Sequence, residues 1–163
     1  VRLLAIDPGT EESGYVVLDD DLSIDGHGII PNQRMLQVVT AWPHRSAIEW
    51  VVSYGKPIGK DTIETIYWIG RFLQASRDPN TALRIPRKVV TKHICNDGGA
   101  KDPQVRQALI DLYPRAGGGA IPQIGTRGTP GPLYGIRKHE WAALAVAHTA
   151  RHHWEVESIA GIL

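Results

Sequence analysis

Two carboxylates stand where the sequence otherwise reads as buried strand. Asp7 ends the apolar run Leu3-Leu4-Ala5-Ile6, just before Pro8-Gly9, and Glu49 interrupts the run from Ser46 to Val52. A charge in such a place needs a counter-charge or several hydrogen-bond donors. A divalent cation is one such partner: Mg²⁺ takes oxygen ligands and keeps several waters, so two or three carboxylates and a substrate phosphate suffice. A pair of such ions activates water on one side of a phosphodiester and stabilises the leaving 3′-oxygen on the other. One carboxylate of this kind is more often a satisfied structural group, but two on adjacent central strands both project to one edge of the sheet. A third ligand is expected from the last helix, whose first turn offers His139 and Glu140. Neighbours on a helix point about 100° apart, so one of the two faces the sheet edge. The competing reading is that both cap the helix.

These side chains need a scaffold. Residues 3–6 and 14–18 read as a hairpin, and residues 23–30 as a third, glycine-weakened strand that ends at Pro31. Residues 33–42 suit a short helix stopping before Pro43, and 46–52 a buried central strand. Asp61-Thr62-Ile63-Glu64 has the pattern of a capping box, opening a helix with Ile66, Ile69 and Leu73 on one face. Residues 85–95, around Val89-Val90 and Ile94, are expected as a strand. Asp102-Pro103 opens another helix, running to Tyr113-Pro114. Residues 115–135, rich in Gly and Pro and without periodicity, read as a long flexible loop, and the final helix runs from about His139 to Trp154. No domain boundary is visible, so one domain over 1–155 with a tail at 156–163 is expected. The order of elements predicts an α/β protein with an RNase H-like mixed five-stranded sheet flanked by helices.

In a chain of 163 residues, 18 Lys and Arg balance 17 Asp and Glu, so there is no global basic field. A nucleic-acid surface must be a local patch. Arg84, Arg87, Lys88, Lys92, Lys101 and Arg106 form one, and Arg115, Arg127, Arg137 and Lys138 frame the glycine-rich stretch. Any single lysine here is a solvated side chain; as a group they are better explained as phosphate contacts, which makes binding salt-dependent. Trp50, Tyr54 and Tyr134 are candidates for stacking on unpaired bases, with core packing the stronger reading for Trp50. His148, His152 and His153 read as a solvated cluster near a helix C-terminus. The single cysteine, Cys95, excludes an internal disulfide framework and suits a reducing compartment. No stretch is apolar enough to span a bilayer and the N-terminus has no signal-peptide pattern, so a cytoplasmic location is expected and no membrane partner.

Four blocks carry a family resemblance. "LLAIDPGTEESGYVVLD" resembles the opening motif of the RuvC-type Holliday junction resolvases, and "SAIEWVVSYG" resembles their second motif, a strand ending in a metal-binding Glu. "GGAKDPQVRQALIDLYP" is similar to a helix start of that family with Asp and Lys exchanged, and "KHEWAALAVAHTA" to its closing acidic helix. "GPLYGI" before that helix looks especially like the divergent bacteriophage branch, which implies a bacterial or phage-infected host. The resemblance implies a crossover junction endodeoxyribonuclease, dependent on Mg²⁺ with Mn²⁺ as substitute, that nicks four-way junctions as a homodimer. Asp7, Glu49 and His139 match metal positions; Lys92 and Lys101 fall near the family's lysines on the scissile strand. The usual fourth carboxylate falls on Ala142: either Glu140 or Asp102 compensates, or catalysis is weakened, or Ala142 is an engineered disabling change. The helix at 61–76 is the expected dimer interface. The competing functions are a branched-DNA binding protein without catalysis, an RNase H-like nuclease acting on RNA–DNA hybrids, and an ATP-binding fragment of an actin-like fold, which would need a longer chain.

Overall fold

In the computed structural model the chain forms β1 (Leu3–Asp7), β2 (Glu12–Leu18), β3 (Ile24–Pro31), α1 (Asn32–Ala41), β4 (Arg45–Trp50), α2 (Lys60–Ala75), β5 (Leu83–Pro86), α3 (Arg87–Cys95), α4 (Asp102–Asp111) and α5 (His139–Ala160). The structure describes residues 1–80 and 82–160, residues 156–160 by backbone only. The strands pair in the order β3-β2-β1-β4-β5; β2 runs antiparallel to β1 and β3, whereas β4 is parallel to β1 and β5. This is the expected RNase H-like mixed five-stranded sheet.

Alternation along the strands sends side chains into two cores. Leu4, Ile6 and Ile48 pack with Met35 and Val39 of α1 and with Trp68, Ile69 and Phe72 of α2. Leu3, Ala5 and Ala47 face the other way, onto α3, α4 and α5. The small residues Ala143, Ala145, Ala147 and Ala150 let α5 lie close on the sheet, all fully buried. Because side chains alternate with a period of two, Asp7 and Glu49 continue the α5-facing rows of β1 and β4.

Four expectations change. The stretch 85–95 is not a strand: β5 ends at Pro86 and α3 begins at Arg87. Its β-branched residues suggested a strand, but the residues it buries, Val90 and Thr91, with Ile94 half-buried, follow helical spacing. The capping box at Asp61 does not form, because the chain enters α2 two residues early from extended Gly59; Asp61 sits inside the first turn, where its charge favours the helix dipole. The 115–135 stretch is irregular but tied down, with Gly118 N–H donating to Thr129 O, Gly131 N–H to Ile124 O and Leu133 N–H to Gln123 O, and Leu133 fully buried. Its glycines permit this packing: a Cβ on Gly125 would meet Gly131 N at 2.2 Å. Finally, His148 is buried against Tyr113, while His152 stacks on His93 with ring centroids 4.6 Å apart.

The stretch set apart as a tail continues α5 through Ala160, and residues 161–163 lie outside the described residues. Among the described residues no helix is long and apolar enough to cross a membrane.

Candidate active-site cleft

β1 and β4 are parallel with Ile6 opposite Ile48, so the register carried one residue further sets Asp7 beside Glu49. Both line a cleft of about 1090 Å³, together with Arg87, Asp102, Arg106, His139 and Ala142. The turn after Asp7 is held from outside. Asn32 donates from Nδ2 to Gly9 O (2.9 Å) and accepts at Oδ1 from the Ser13 hydroxyl (2.6 Å), both side chains being buried. Gly9 is required there, since a Cβ would lie 2.3 Å from Glu12 O.

His139 reaches Asp7 from the start of α5, its Nδ1–H donating to Asp7 Oδ2 at 2.9 Å. That bond first, and then the carboxylate charges of Asp7, Glu12 and Asp102, hold the imidazole pKa above its usual value, against partial burial. Glu49 is the most perturbed carboxylate of the cleft. Burial first, and the Asp7 charge second, push its pKa up to about 7, with Arg87 opposing. Its Oε2 is buried without a hydrogen bond, although the Arg87 guanidinium stands 3.6 Å away.

Glu140, put forward as a catalytic group, does not line the cleft. It is 2% exposed and accepts from His27 Nδ1 (2.8 Å) and from the Arg137 N–H (2.8 Å). It therefore ties the first turn of α5 to β3, and its effect on chemistry runs through the placing of His139. The sequence offered no sign of this partnership, because His27 sits on an edge strand 113 residues away.

Asp102 does line the cleft, at the start of α4, with its side chain 92% exposed and ion-paired to Arg87. Arg87 was legible only as one of a basic group. Reading 85–95 as a strand hid that it opens a helix beside Glu49. The other basic residues divide. Arg106, lying over the Trp141 ring at 5.0 Å, Arg137 and Lys138 border the cleft. Lys88 and Lys92 line an adjoining shallow depression with Tyr54 and Val89, Lys88 Nζ standing 5.8 Å from the Tyr54 ring. Lys101 caps α4 through its backbone N–H, which donates to Gln104 Oε1 at 2.8 Å. Trp50 packs toward the α1–α2 core under Arg84, so its role is packing; Tyr54 is 62% exposed.

Among the described residues no three His, Cys, Asp or Glu side chains stand as a ready ligand cluster. What the cleft offers a cation is narrower: a close carboxylate pair on adjacent strands, one buried oxygen of which has no hydrogen bond. The donor types present, carboxylate oxygens with an imidazole alongside, are ones that Mg²⁺ and Mn²⁺ accept.

No protein-family profile matches this sequence, and no curated protein matches it. Solved structures do. Thermus thermophilus RuvC superposes with a TM-score of 0.64 at 16% identity, over 95% of this chain and 96% of that one. T. thermophilus RuvC in complex with Holliday junction substrate gives 0.64 and 16% over 93% and 96%. At this identity the likeness establishes the fold, which is of the RuvC type within the RNase H-like class.

Proposed function

We propose that this chain is a divalent-cation-dependent endonuclease that nicks branched DNA, four-way junctions above all. The observation that carries the reading is the meeting of Asp7 and Glu49 at one cleft, with burial first and the Asp7 charge second raising the Glu49 pKa to about 7. A carboxylate in a cleft, perturbed by burial and by a specific charged neighbour, is a functional-site candidate on physical grounds. The RuvC-type fold, and the Holliday junction bound by one of its structural neighbours, supply the substrate class.

In this reading Asp7, Glu49 and His139 would hold a divalent cation, which would supply Lewis-acid stabilisation of the phosphate oxygens and a lowered pKa for water. Hydrolysis forms a bond from water oxygen to phosphorus and breaks the bond to the 3′-oxygen. The proton lost by water is balanced by the one the 3′-oxygen gains, leaving 5′-phosphate and 3′-hydroxyl ends. Arg106, Arg137 and Lys138 at the rim, with Lys88, Lys92 and Lys101 beside it, steer and hold the DNA backbone. A homodimer cutting two strands symmetrically would pair through α2, where Ile63, Ile66 and Tyr67 are exposed. The bacteriophage branch, and with it a bacterial host as the setting, rests on the "GPLYGI" block and the Trp-Ala-Ala-Leu-Ala helix start that follows it.

A second reading, a junction-binding protein without catalysis, is favoured by Ala142 in the cleft wall. One experiment separates the two: incubation of a synthetic four-way junction with the chain, with and without Mg²⁺, beside Asp7→Asn. Mg²⁺-dependent nicking that Asp7→Asn abolishes supports the nuclease; tight binding with no nicking in Mg²⁺ or Mn²⁺ supports the binder. Faster cleavage of an RNA–DNA hybrid than of the junction would reassign the substrate.

A further inference from the structure

The cleft lacks a carboxylate at Ala142, yet it is not short of positive charge. Arg87 is the first residue of α3 and follows directly on Pro86 of β5, so the sheet fixes where its backbone stands. Its guanidinium lies between Glu49, at 3.6 Å, and Asp102, with which it is hydrogen-bonded. All three residues line the same cleft as Asp7, His139 and Ala142. The geometry points to Arg87 as a fixed substitute for a second cation: the cleft works with one divalent ion at Asp7, Glu49 and His139, while the guanidinium supplies the remaining positive charge to the scissile phosphate. This inference rests on the nuclease reading above.

Three features support it. A guanidinium is charged at every working pH and presents a planar fork that fits a phosphate on two oxygens. Asp102, the partner it would have to leave, is 92% exposed, and an ion pair at such a surface is weak. With the guanidinium 3.6 Å from the Glu49 carboxylate, any second divalent ion brought to this carboxylate would meet Arg87 as a like charge. Ala142 contributes no ligand to offset that repulsion.

The test uses the whole chain with a synthetic four-way junction and Mn²⁺, frozen before turnover and read by electron paramagnetic resonance, with cleavage rates measured in parallel. The wild-type complex is expected to show the signal of isolated Mn²⁺. The double variant Arg87→Gln with Ala142→Asp is expected to show an exchange-coupled pair. Arg87→Gln alone should lower kcat about a hundredfold, the scale of removing one charge-stabilising donor, with KM little changed and partial rescue by Arg87→Lys. A coupled pair in the wild type, a double variant that still holds isolated Mn²⁺, or Arg87→Gln cleaving at the wild-type rate overturns the inference while junction cleavage still upholds the nuclease. Absence of cleavage by the wild-type chain, with or without bound Mn²⁺, overturns both.

Discussion

Gly14 lies so close beneath His139 that a β-carbon on it would stand 2.7 Å from the His139 carbonyl carbon. Gly14 pairs with Asp7 across the β1–β2 hairpin, so the bare backbone at this one position is what lets α5 bring His139 onto Asp7. Gly14→Ala should push the start of α5 outward. A displacement of about an ångström at a catalytic group costs on the order of a hundredfold in rate, whereas the overpacking costs about 1–3 kcal/mol of stability. Junction cleavage and urea unfolding, measured together, check this. A variant that cleaves normally would mean that the contact of His139 with Asp7 is dispensable.

Glu49→Gln should stabilise the chain while abolishing cleavage. In the unfolded chain Glu49 titrates near 4.5, in the fold near 7. The folded state therefore disfavours the carboxylate. Stability is undiminished by this group below pH ~4.5 and falls progressively as pH rises through ~7, by on the order of 3 kcal/mol. The amide carries no such penalty, so its gain should be large near pH 8 and small near pH 4.5. Cation binding runs in the opposite sense: Mn²⁺ affinity of the wild type should rise with pH through ~7, as the competing proton leaves.

The two acidic residues were legible because a lone carboxylate inside an apolar run is a local signal, and the fold class, though not the strand order, followed from the succession of apolar runs. What the sequence did not display depends on partners far along the chain. Glu140 looked equivalent to His139, and only the arrival of His27 from β3 turns it away from the cleft. Arg87 was hidden for a different reason. Val89, Val90 and Thr91 are β-branched and favour strands locally, but packing of Val90 against α5-side residues outweighs that preference. The buried place of His148 was likewise hidden, since a histidine near a helix C-terminus reads as solvated until Tyr113 is known to cover it.

Lys88→Ala with Lys92→Ala should weaken junction binding about equally for all sequences and reduce the dependence of affinity on salt. For every phosphate that a lysine no longer neutralises, the slope of log affinity against log salt becomes shallower by about 0.9. Both side chains are exposed beside the cleft and neither lines it, so the cleavage rate of bound junction should stay near wild type. Fluorescence anisotropy at several salt concentrations gives the slope. An unchanged slope would move the DNA path off α3.

Ile63→Asp with Tyr67→Asp should yield a monomer if α2 is the self-complementary surface. Both residues are more than half exposed in the isolated chain, on the side of α2 away from Trp68, Ile69 and Phe72, so the fold should tolerate the change to within about 0.5 kcal/mol. Sedimentation or light scattering reports the oligomeric state. A dimer that survives both charges excludes α2 as its interface.

His148 makes the fold sensitive to acid. Its Nε2 lies 2.8 Å from the Tyr113 hydroxyl, which donates to Leu22 O, and the ring is 8% exposed. Burial, and to a lesser degree the neighbouring His93, lower its pKa from 6.5 to about 4. The fold thus favours neutral imidazole. The stability this contributes is fully present above pH ~6.5 and is lost as pH falls to ~4, by on the order of 3 kcal/mol. His93 adds to the trend in the same direction, since burial and the stacked His152 also lower its pKa. His148→Phe keeps a ring in the cavity, leaves Tyr113 bonded to Leu22 O and removes the titration. Urea midpoints followed from pH 7 to pH 4 should fall steeply for the wild type and less for the variant; parallel curves would assign the acid sensitivity to another group.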